Sequence, residues 1–149
     1  MSEQIVQLIP CMHTYRTNAK HAEAAVEALK KLVEADEITF RQSDLPEFVS
    51  CGEDLTEIRC PRCGALLDPD WWGEKMDAMS AADHFFILEQ DLPCCGKTVS
   101  FNQLRYHAPC GFSCLEFTIR NPKSEVGKEV LDHLGERFGM LFRKVERRL

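Results

Sequence analysis

The residues Leu-Glu-Phe-Thr-Ile-Arg-Asn-Pro at positions 115–122 alternate large apolar side chains with polar ones and then stop at an asparagine–proline pair. Alternation with a period of two is typical of a strand that buries one face, and the asparagine–proline pair ends such a strand. A helix is expected next, starting near Ser124 and ending at Gly135 or Gly139, with three apolar residues on one face: Val126, Val130 and Leu134. Residues 140–145 predict a last strand, so this end of the chain predicts a β-α-β unit.

The N-terminal end of the chain has the same pattern. Residues 4–10 form a short apolar run, Asn18 suits the N-cap of a helix, and residues 38–41 alternate again. Four apolar residues recur at helical spacing in between: Ala22, Val26, Leu29 and Val33. Two β-α-β units that share one antiparallel sheet, with their helices on one face, make an α+β fold of the ferredoxin-like type, which is the fold class that we expect.

Between the two units lies a segment, at about residues 52–110, that contains most of the cysteines. Asp68-Pro69 is typical of a helix start, with the aspartate as N-cap and the proline at the first helical position. The buried face of this helix is expected to carry Trp72, Met76 and Met79. The apolar run 85–88 and the alternation at 99–101 flank a turn at 93–96, which predicts a hairpin with cysteines at its tip.

Composition favours one domain. The chain has 149 residues, 44% of them hydrophobic, which suits a single core, so we expect one α+β domain over residues 1–149 with the cysteine-rich segment as an insertion. No apolar run approaches the roughly 18 residues of a membrane helix, and the start Met-Ser-Glu-Gln lacks the basic and apolar regions of a signal peptide. We therefore expect a cytoplasmic protein without a membrane partner.

The formal net charge of −6 bears on the kind of partner. An acidic chain repels phosphate backbones, so we do not expect nucleic acid as the partner and expect another protein instead. Nothing in the sequence selects an oligomeric state.

The eight cysteines need a separate explanation. Disulfides rarely persist in a reducing cytoplasm, so clustered cysteines favour metal binding or redox chemistry. The motifs Cys-Pro-Arg-Cys-Gly at 60–64 and Pro-Cys-Cys-Gly at 93–96 each place two thiols on a tight turn, and structural zinc requires four ligands in a tetrahedron. We therefore predict one structural Zn²⁺ ion, with four ligands: Cys60, Cys63, Cys94 and Cys95.

A second ligand set stays open. Consecutive side chains of an extended strand point to opposite faces, so Cys94 and Cys95 reach one ion only if the chain turns there. The alternative set keeps one of these two cysteines and completes the site with Cys110, Cys114 or His107. Cys11 and Cys51 stand alone and are expected to be small buried apolar residues.

In its cysteine motifs the sequence resembles the zinc-ribbon, or rubredoxin-knuckle, proteins, over less than a third of the chain. It departs from their usual pattern in the adjacency of the second cysteine pair and in the longer spacing between the pairs. The chain also resembles a group of small bacterial proteins that share a Cys-Pro-Arg-Cys-Gly segment, a Trp-Trp helix and a Pro-Cys-Cys-Gly turn. That resemblance covers most of the chain and implies one domain, but no activity.

We expect a non-enzymatic binding or adaptor protein with a structural zinc site, because no catalytic motif is recognisable. An acidic protein that neutralises a basic toxin or nuclease, as immunity proteins do, is one sub-case. The first alternative is a thiol redox enzyme that uses Cys60 and Cys63, because Cys-Pro-Arg-Cys resembles the active site of glutaredoxins. The second is a nucleic-acid-binding zinc ribbon with two basic and two aromatic contact residues: Arg59, Arg62, Trp71 and Trp72.

Overall fold

The computed structural model describes residues 3–149, except for the side chain of Asp54, so the first two residues of the predicted domain lie outside it. This part of the chain has three α-helices: α1 (Ala19–Leu32), α2 (Pro69–Asp83) and α3 (Lys128–Phe138). Its strands are β1 (Gln4–Pro10), β2 (Ala35–Val49), β3 (Ile58–Arg59), β4 (Glu89–Asp91), β5 (Thr98–Ser100), β6 (Arg105–Tyr106), β7 (Gly111–Pro122) and β8 (Phe142–Arg148). No helix within residues 3–149 has both the length and the apolar character needed to cross a membrane.

The main sheet has four strands in the order β2-β7-β1-β8, and every neighbouring pair is antiparallel. The strands of the unit β1-α1-β2 are separated by β7, and those of the unit β7-α3-β8 are separated by β1. The predicted α+β class is confirmed. The ferredoxin-like topology is compatible with this strand order and stays a prediction at that finer level.

Helices α1 and α3 pack against the same face of the sheet. The Asn18 side chain caps α1 as predicted, because its Oδ1 accepts a hydrogen bond of 2.8 Å from the backbone N–H of His21. The apolar residues spaced by three and four positions lie on the buried face of each helix. Together with the strand residues below them they form the main core, which includes Val6, Leu8, Ala22, Leu29, Leu115, Phe117, Ile119, Val130 and Leu134.

Several boundaries differ from the prediction, among them the start of β7, which begins at Gly111 rather than at Leu115. Strand β2 extends well beyond residues 38–41, because its pairing with β7 resumes after an irregular stretch between Gln42 and Glu47. Helix α3 starts at Lys128 rather than near Ser124, because the backbone is still extended at its N-cap, Gly127. Val126 is buried in the core before the helix begins. The helix ends at Gly139, which is one of the two predicted ends. Strand β8 begins two residues later and ends three residues later than predicted.

The segment between β2 and β7 has a core of its own. It contains α2 and two small antiparallel ladders, β3 with β6 and β4 with β5. Asp68 caps α2 as predicted, and Met79 is buried while Trp72 and Met76 are half-buried against the same core. The predicted hairpin forms between β4 and β5, but the apolar run 85–88 lies before β4 and outside any strand, and Phe85 has a φ of 66°. Phe112 of β7 belongs to this second core and so joins the segment to the main sheet.

Candidate metal centre

Two tight turns bring four cysteines together. The first follows β3 and is closed by a bridge between Arg59 and Leu66, and the second connects β4 to β5. The Sγ atoms all lie within 4.8 Å of one another, and they belong to the predicted set Cys60, Cys63, Cys94 and Cys95. Across the two turns, the Sγ of Cys60 lies 3.9 Å from the Sγ of Cys95.

The first turn is held by its own backbone. The N–H of Cys60 donates to the carbonyl of Ala65 at 2.9 Å, and the N–H of Gly64 donates to the carbonyl of Cys60 at 3.0 Å. Two more N–H groups, of Arg62 and Cys63, donate to the Sγ of Cys60 at 3.3 and 3.4 Å. Gly64 has a φ of +77°, which glycine adopts without steric cost. This turn therefore directs amide dipoles at the Cys60 sulfur.

The second turn repeats the backbone pattern of the first. The N–H of Leu92 donates to the carbonyl of Lys97 at 3.0 Å, the N–H of Gly96 donates to the carbonyl of Leu92 at 2.8 Å, and Gly96 has a φ of +72°. The two turns therefore align position by position, as Cys-Pro-Arg-Cys-Gly at 60–64 and Leu-Pro-Cys-Cys-Gly at 92–96.

This alignment explains how adjacent cysteines reach one point. Cys95 takes the place of Cys63, Cys94 takes the place of Arg62, and Leu92 takes the place of Cys60. Because the chain turns between Leu92 and Lys97, the two thiols are not on opposite faces of a strand. Leu92 is 1% exposed and packs into the second core, so the turn replaces one thiol ligand by an apolar anchor.

The cluster has dimensions that suit a metal ion. A tetrahedral site with metal–sulfur bonds of about 2.3 Å has sulfur–sulfur edges of about 3.8 Å. The Cys60–Cys95 separation of 3.9 Å is close to this edge, and the outer limit of 4.8 Å requires only small side-chain rotations. Four thiolates fill a tetrahedral shell, so the arrangement suits a closed site rather than one with an open position for a substrate.

The sulfurs differ in how readily they lose a proton. Burial of Cys60 disfavours its thiolate, but the backbone N–H groups of Cys63 and Arg62 outweigh burial and lower the pKa of Cys60 to about 6. Desolvation and the neighbouring sulfurs raise the pKa of Cys94 to about 12, with Cys63 and Cys60 as its main partners. The surroundings therefore favour the thiolate of Cys60 and disfavour that of Cys94 in the absence of a cation, whereas a bound cation would favour the thiolate form of its ligands.

The alternative ligands lie elsewhere. The Sγ of Cys110 lies 2.9 Å from the Sγ of Cys51, and burial raises the pKa of Cys114, which lies within β7. The backbone N–H of His107 donates to the carbonyl of Glu57. In the described part of the chain, the only group of three or more potential ligand side chains is the four-cysteine cluster. Cys11 and Cys51 were both expected to be buried. Cys51 is buried, but the expectation was wrong for Cys11, which is exposed.

Arg143 has a structural role that the sequence did not indicate. It lies on β8, and its guanidinium donates to the carbonyl of Cys110 at 2.6 Å and to the carbonyl of Asn102 at 2.9 Å. Burial of this group lowers the pKa of Arg143. Because Asn102 and Cys110 belong to the cysteine-rich segment, this one cation ties the segment to the edge of the main sheet.

The tryptophans and arginines near the first turn have contacts within the protein. The Trp71 ring packs on Phe101 with centroids 5.7 Å apart, and the Trp72 ring packs on Phe48 with centroids 5.6 Å apart. Arg59 forms an ion pair with Glu57 and donates to the carbonyl of Gly64. Arg62 is exposed beside the sulfurs.

The geometry thus defines a four-cysteine cluster that can hold a metal ion. No protein-family model matches the chain, and neither the curated proteins nor the solved structures compared with it gave a match.

Proposed function

We propose that the protein is a zinc-binding protein in which one Zn²⁺ ion, held by Cys60, Cys63, Cys94 and Cys95, has a structural role. The observation that carries the proposal is the repeated turn, because two segments far apart in sequence have the same backbone hydrogen bonds and direct their sulfurs to one point. Zinc fits a set of four thiolates because it accepts soft ligands and favours a tetrahedron.

The structural role follows from what the ion would join. The first turn belongs to the ladder of β3 and β6, and the second is the tip of the hairpin β4–β5. Three of the four cysteines are exposed, so packing alone contributes little where the turns meet. Zinc binding releases free energy only in the folded segment, and that free energy is added to its stability.

We further propose a non-enzymatic binding role with another protein as partner. Support comes from exposed apolar side chains on two loops that touch each other, where the His13 Nε2 lies 2.7 Å from the carbonyl of Phe86. Beside this contact Met12 is 52% exposed and Ile87 is 62% exposed. Exposed apolar patches on a small protein mark interaction sites, and the net charge of −6 favours a partner with a basic rim around its apolar surface.

Zinc content tests the metal proposal. We expect one zinc per chain in protein purified without added metal, and loss of that zinc in Cys60→Ser and Cys95→Ser. Cys11→Ser, which removes an exposed thiol outside the cluster, is the matched control and should keep the metal. Cobalt substitution should give the visible absorption of a tetrahedral tetrathiolate site. Wild-type protein without metal, or variants that retain the full zinc content, would contradict the proposal, and iron in place of zinc would correct the ion.

The thiol redox enzyme is a second candidate with one observation in its favour. The pKa of Cys60, lowered to about 6, gives this thiol the ionised form that attacks disulfides. Its side chain is fully buried, however, so a disulfide substrate has no direct approach to the sulfur. Reduction of a small disulfide substrate by zinc-free protein, lost in Cys60→Ser and kept in Cys11→Ser, would favour the redox function over the structural one.

A further inference from the structure

A second pair of cysteines lies at the base of the cysteine-rich segment. Cys51 follows the end of β2, and Cys110 directly precedes β7, so the two residues mark where the chain leaves the main sheet and where it returns. They are separated by 59 positions in sequence, yet their Sγ atoms lie 2.9 Å apart. Each residue is 1% exposed.

The pair is surrounded by apolar side chains and has one cation nearby. Ile9, Val49 and Val145 pack around the two sulfurs as a small separate core. The Arg143 guanidinium donates to the carbonyl of Cys110 and places a positive charge near the Cys110 thiol. The pair takes no part in the four-cysteine cluster, so the zinc site does not explain why these two sulfurs lie close to each other.

We propose that Cys51 and Cys110 are a redox-active pair that closes into a reversible disulfide when a peroxide oxidises the protein. A disulfide has a sulfur–sulfur bond of about 2.05 Å, so the sulfurs need to approach by less than about 1 Å from their present separation. The surrounding core can supply that movement through side-chain rotation, because both thiols already point at each other.

The chemistry balances with hydrogen peroxide as the oxidant. One thiol attacks the peroxide, which breaks the O–O bond, forms a sulfenic acid and releases the first water molecule. The second thiol then attacks the sulfenic sulfur, forms the S–S bond and releases the second water molecule. The two cysteines lose two electrons and two protons, and the peroxide takes them up. A small thiol such as dithiothreitol reverses the step by thiol–disulfide exchange.

The disulfide would act as a clasp, that is, a covalent link between the two ends of the cysteine-rich segment. Closing a loop of about 60 residues removes conformations from the unfolded chain, which raises stability without any new native contact. Burial makes the reaction slow, because the thiolate is the attacking form and burial raises the pKa of Cys110 to about 12. Burial also restricts the reaction to oxidants small enough to reach the sulfurs. The same burial should protect the finished disulfide from bulky reductants.

Peptide mapping tests the bond. Zinc-saturated protein is treated with hydrogen peroxide, alkylated under denaturing conditions and digested with trypsin without reduction. We expect peptide 42–59, which contains Cys51, to be linked to peptide 106–120, which contains Cys110 and Cys114. The link should persist in Cys114→Ser, a matched control that removes the neighbouring buried thiol, and be absent in Cys51→Ala and Cys110→Ala. Free alkylation of Cys51 and Cys110 after oxidation of the folded protein would overturn the proposal.

Thermal unfolding tests the clasp. Oxidation should raise the Tm of the wild type by about 10 °C relative to oxidised Cys51→Ala, and dithiothreitol should reverse the rise. Because both proteins keep the four cluster cysteines, the comparison cancels any oxidation there. If Cys51→Ala does not fold, oxidised Cys110→Ala, which also lacks the pair and keeps the four cluster cysteines, takes its place. A linked peptide without a rise in Tm would overturn the clasp.

Discussion

Replacing Arg143 by methionine should weaken the attachment of the cysteine-rich segment to the main sheet and so lower the stability of the folded protein. The guanidinium on β8 donates to two backbone carbonyls of the segment, those of Cys110 and Asn102, and lies 3.3 Å from the Oδ1 of Asn102. Both acceptor residues are buried, so water does not readily replace the lost donor. Methionine keeps the length of the stem and fills space with an adaptable apolar chain.

The expected loss of stability is about 3 kcal/mol. Each buried carbonyl left without its donor costs about 1–3 kcal/mol, which gives about 4 kcal/mol for the two carbonyls at mid-range. The variant also avoids the desolvation cost of burying a guanidinium. Because this group is only half-buried and keeps part of its hydration, that cost is small, and the variant recovers about 1 kcal/mol. The Asn102 Oδ1 keeps the N–H of Phe112 as a donor at 3.0 Å and adds nothing to the cost.

Urea unfolding of the zinc-saturated, reduced protein measures this loss as a lower midpoint at an unchanged slope. Arg148→Met is the matched control, because Arg148 is an exposed arginine of the same strand, and its change should stay within about 0.5 kcal/mol. Equal stability of the two variants would refute the reasoning, since it would mean that water replaces the hydrogen bonds of the guanidinium without a loss of stability. A changed slope for Arg143→Met would show instead that the segment unfolds separately.

Two more perturbations test the main core and the buried thiol. Leu134→Ala should cost about 2–5 kcal/mol in urea unfolding because the side chain is fully buried between α3 and the sheet, and half-buried Leu131→Ala should cost clearly less. Stability should also fall as the pH rises above about 8.5, because a thiol of the unfolded chain then ionises while Cys110, with its pKa raised to about 12, keeps its proton when folded. Below that pH the thiol is protonated in both the folded and the unfolded state, and its contribution to stability is complete. Cys110→Ala should flatten the decline in stability between pH 8.5 and 10. An unchanged slope of stability against pH would contradict the raised pKa of Cys110.

The regular parts of the fold were predictable because local signals and burial agree there. Asn18 and Asp68 start their helices as the sequence indicates, and the alternation at 115–120 marks the central strand β7. The extension of β2 was not predictable from alternation, because its pairing is interrupted between Gln42 and Glu47 and resumes around Phe48. Tertiary pairing with β7 decides the second half of that strand.

The four cysteines that the fold brings together were predictable from the sequence, but the backbone that brings them together was not. Spacing indicated the four cysteines, whereas the adjacency of Cys94 and Cys95 had no local explanation until the turn at Leu92 was seen to repeat the turn at Cys60. The signal was present in the sequence as proline at the second and glycine at the fifth place of both turns. The pairing of Cys51 with Cys110 carries no such signal, because only the sheet brings these residues together.

The equivalence of Leu92 and Cys60 bears on how thiolate sites of this kind can be found in other chains. The backbone of the turn and the identity of its sulfur donors are separable, since the same hydrogen-bonded frame carries cysteine at its first and fourth places in one turn and at its third and fourth places in the other. A search that requires cysteine at fixed first and fourth places would pass over the second turn of this protein. A search that asks first for the proline–glycine frame, and only then for any two thiols upon it, would detect both turns.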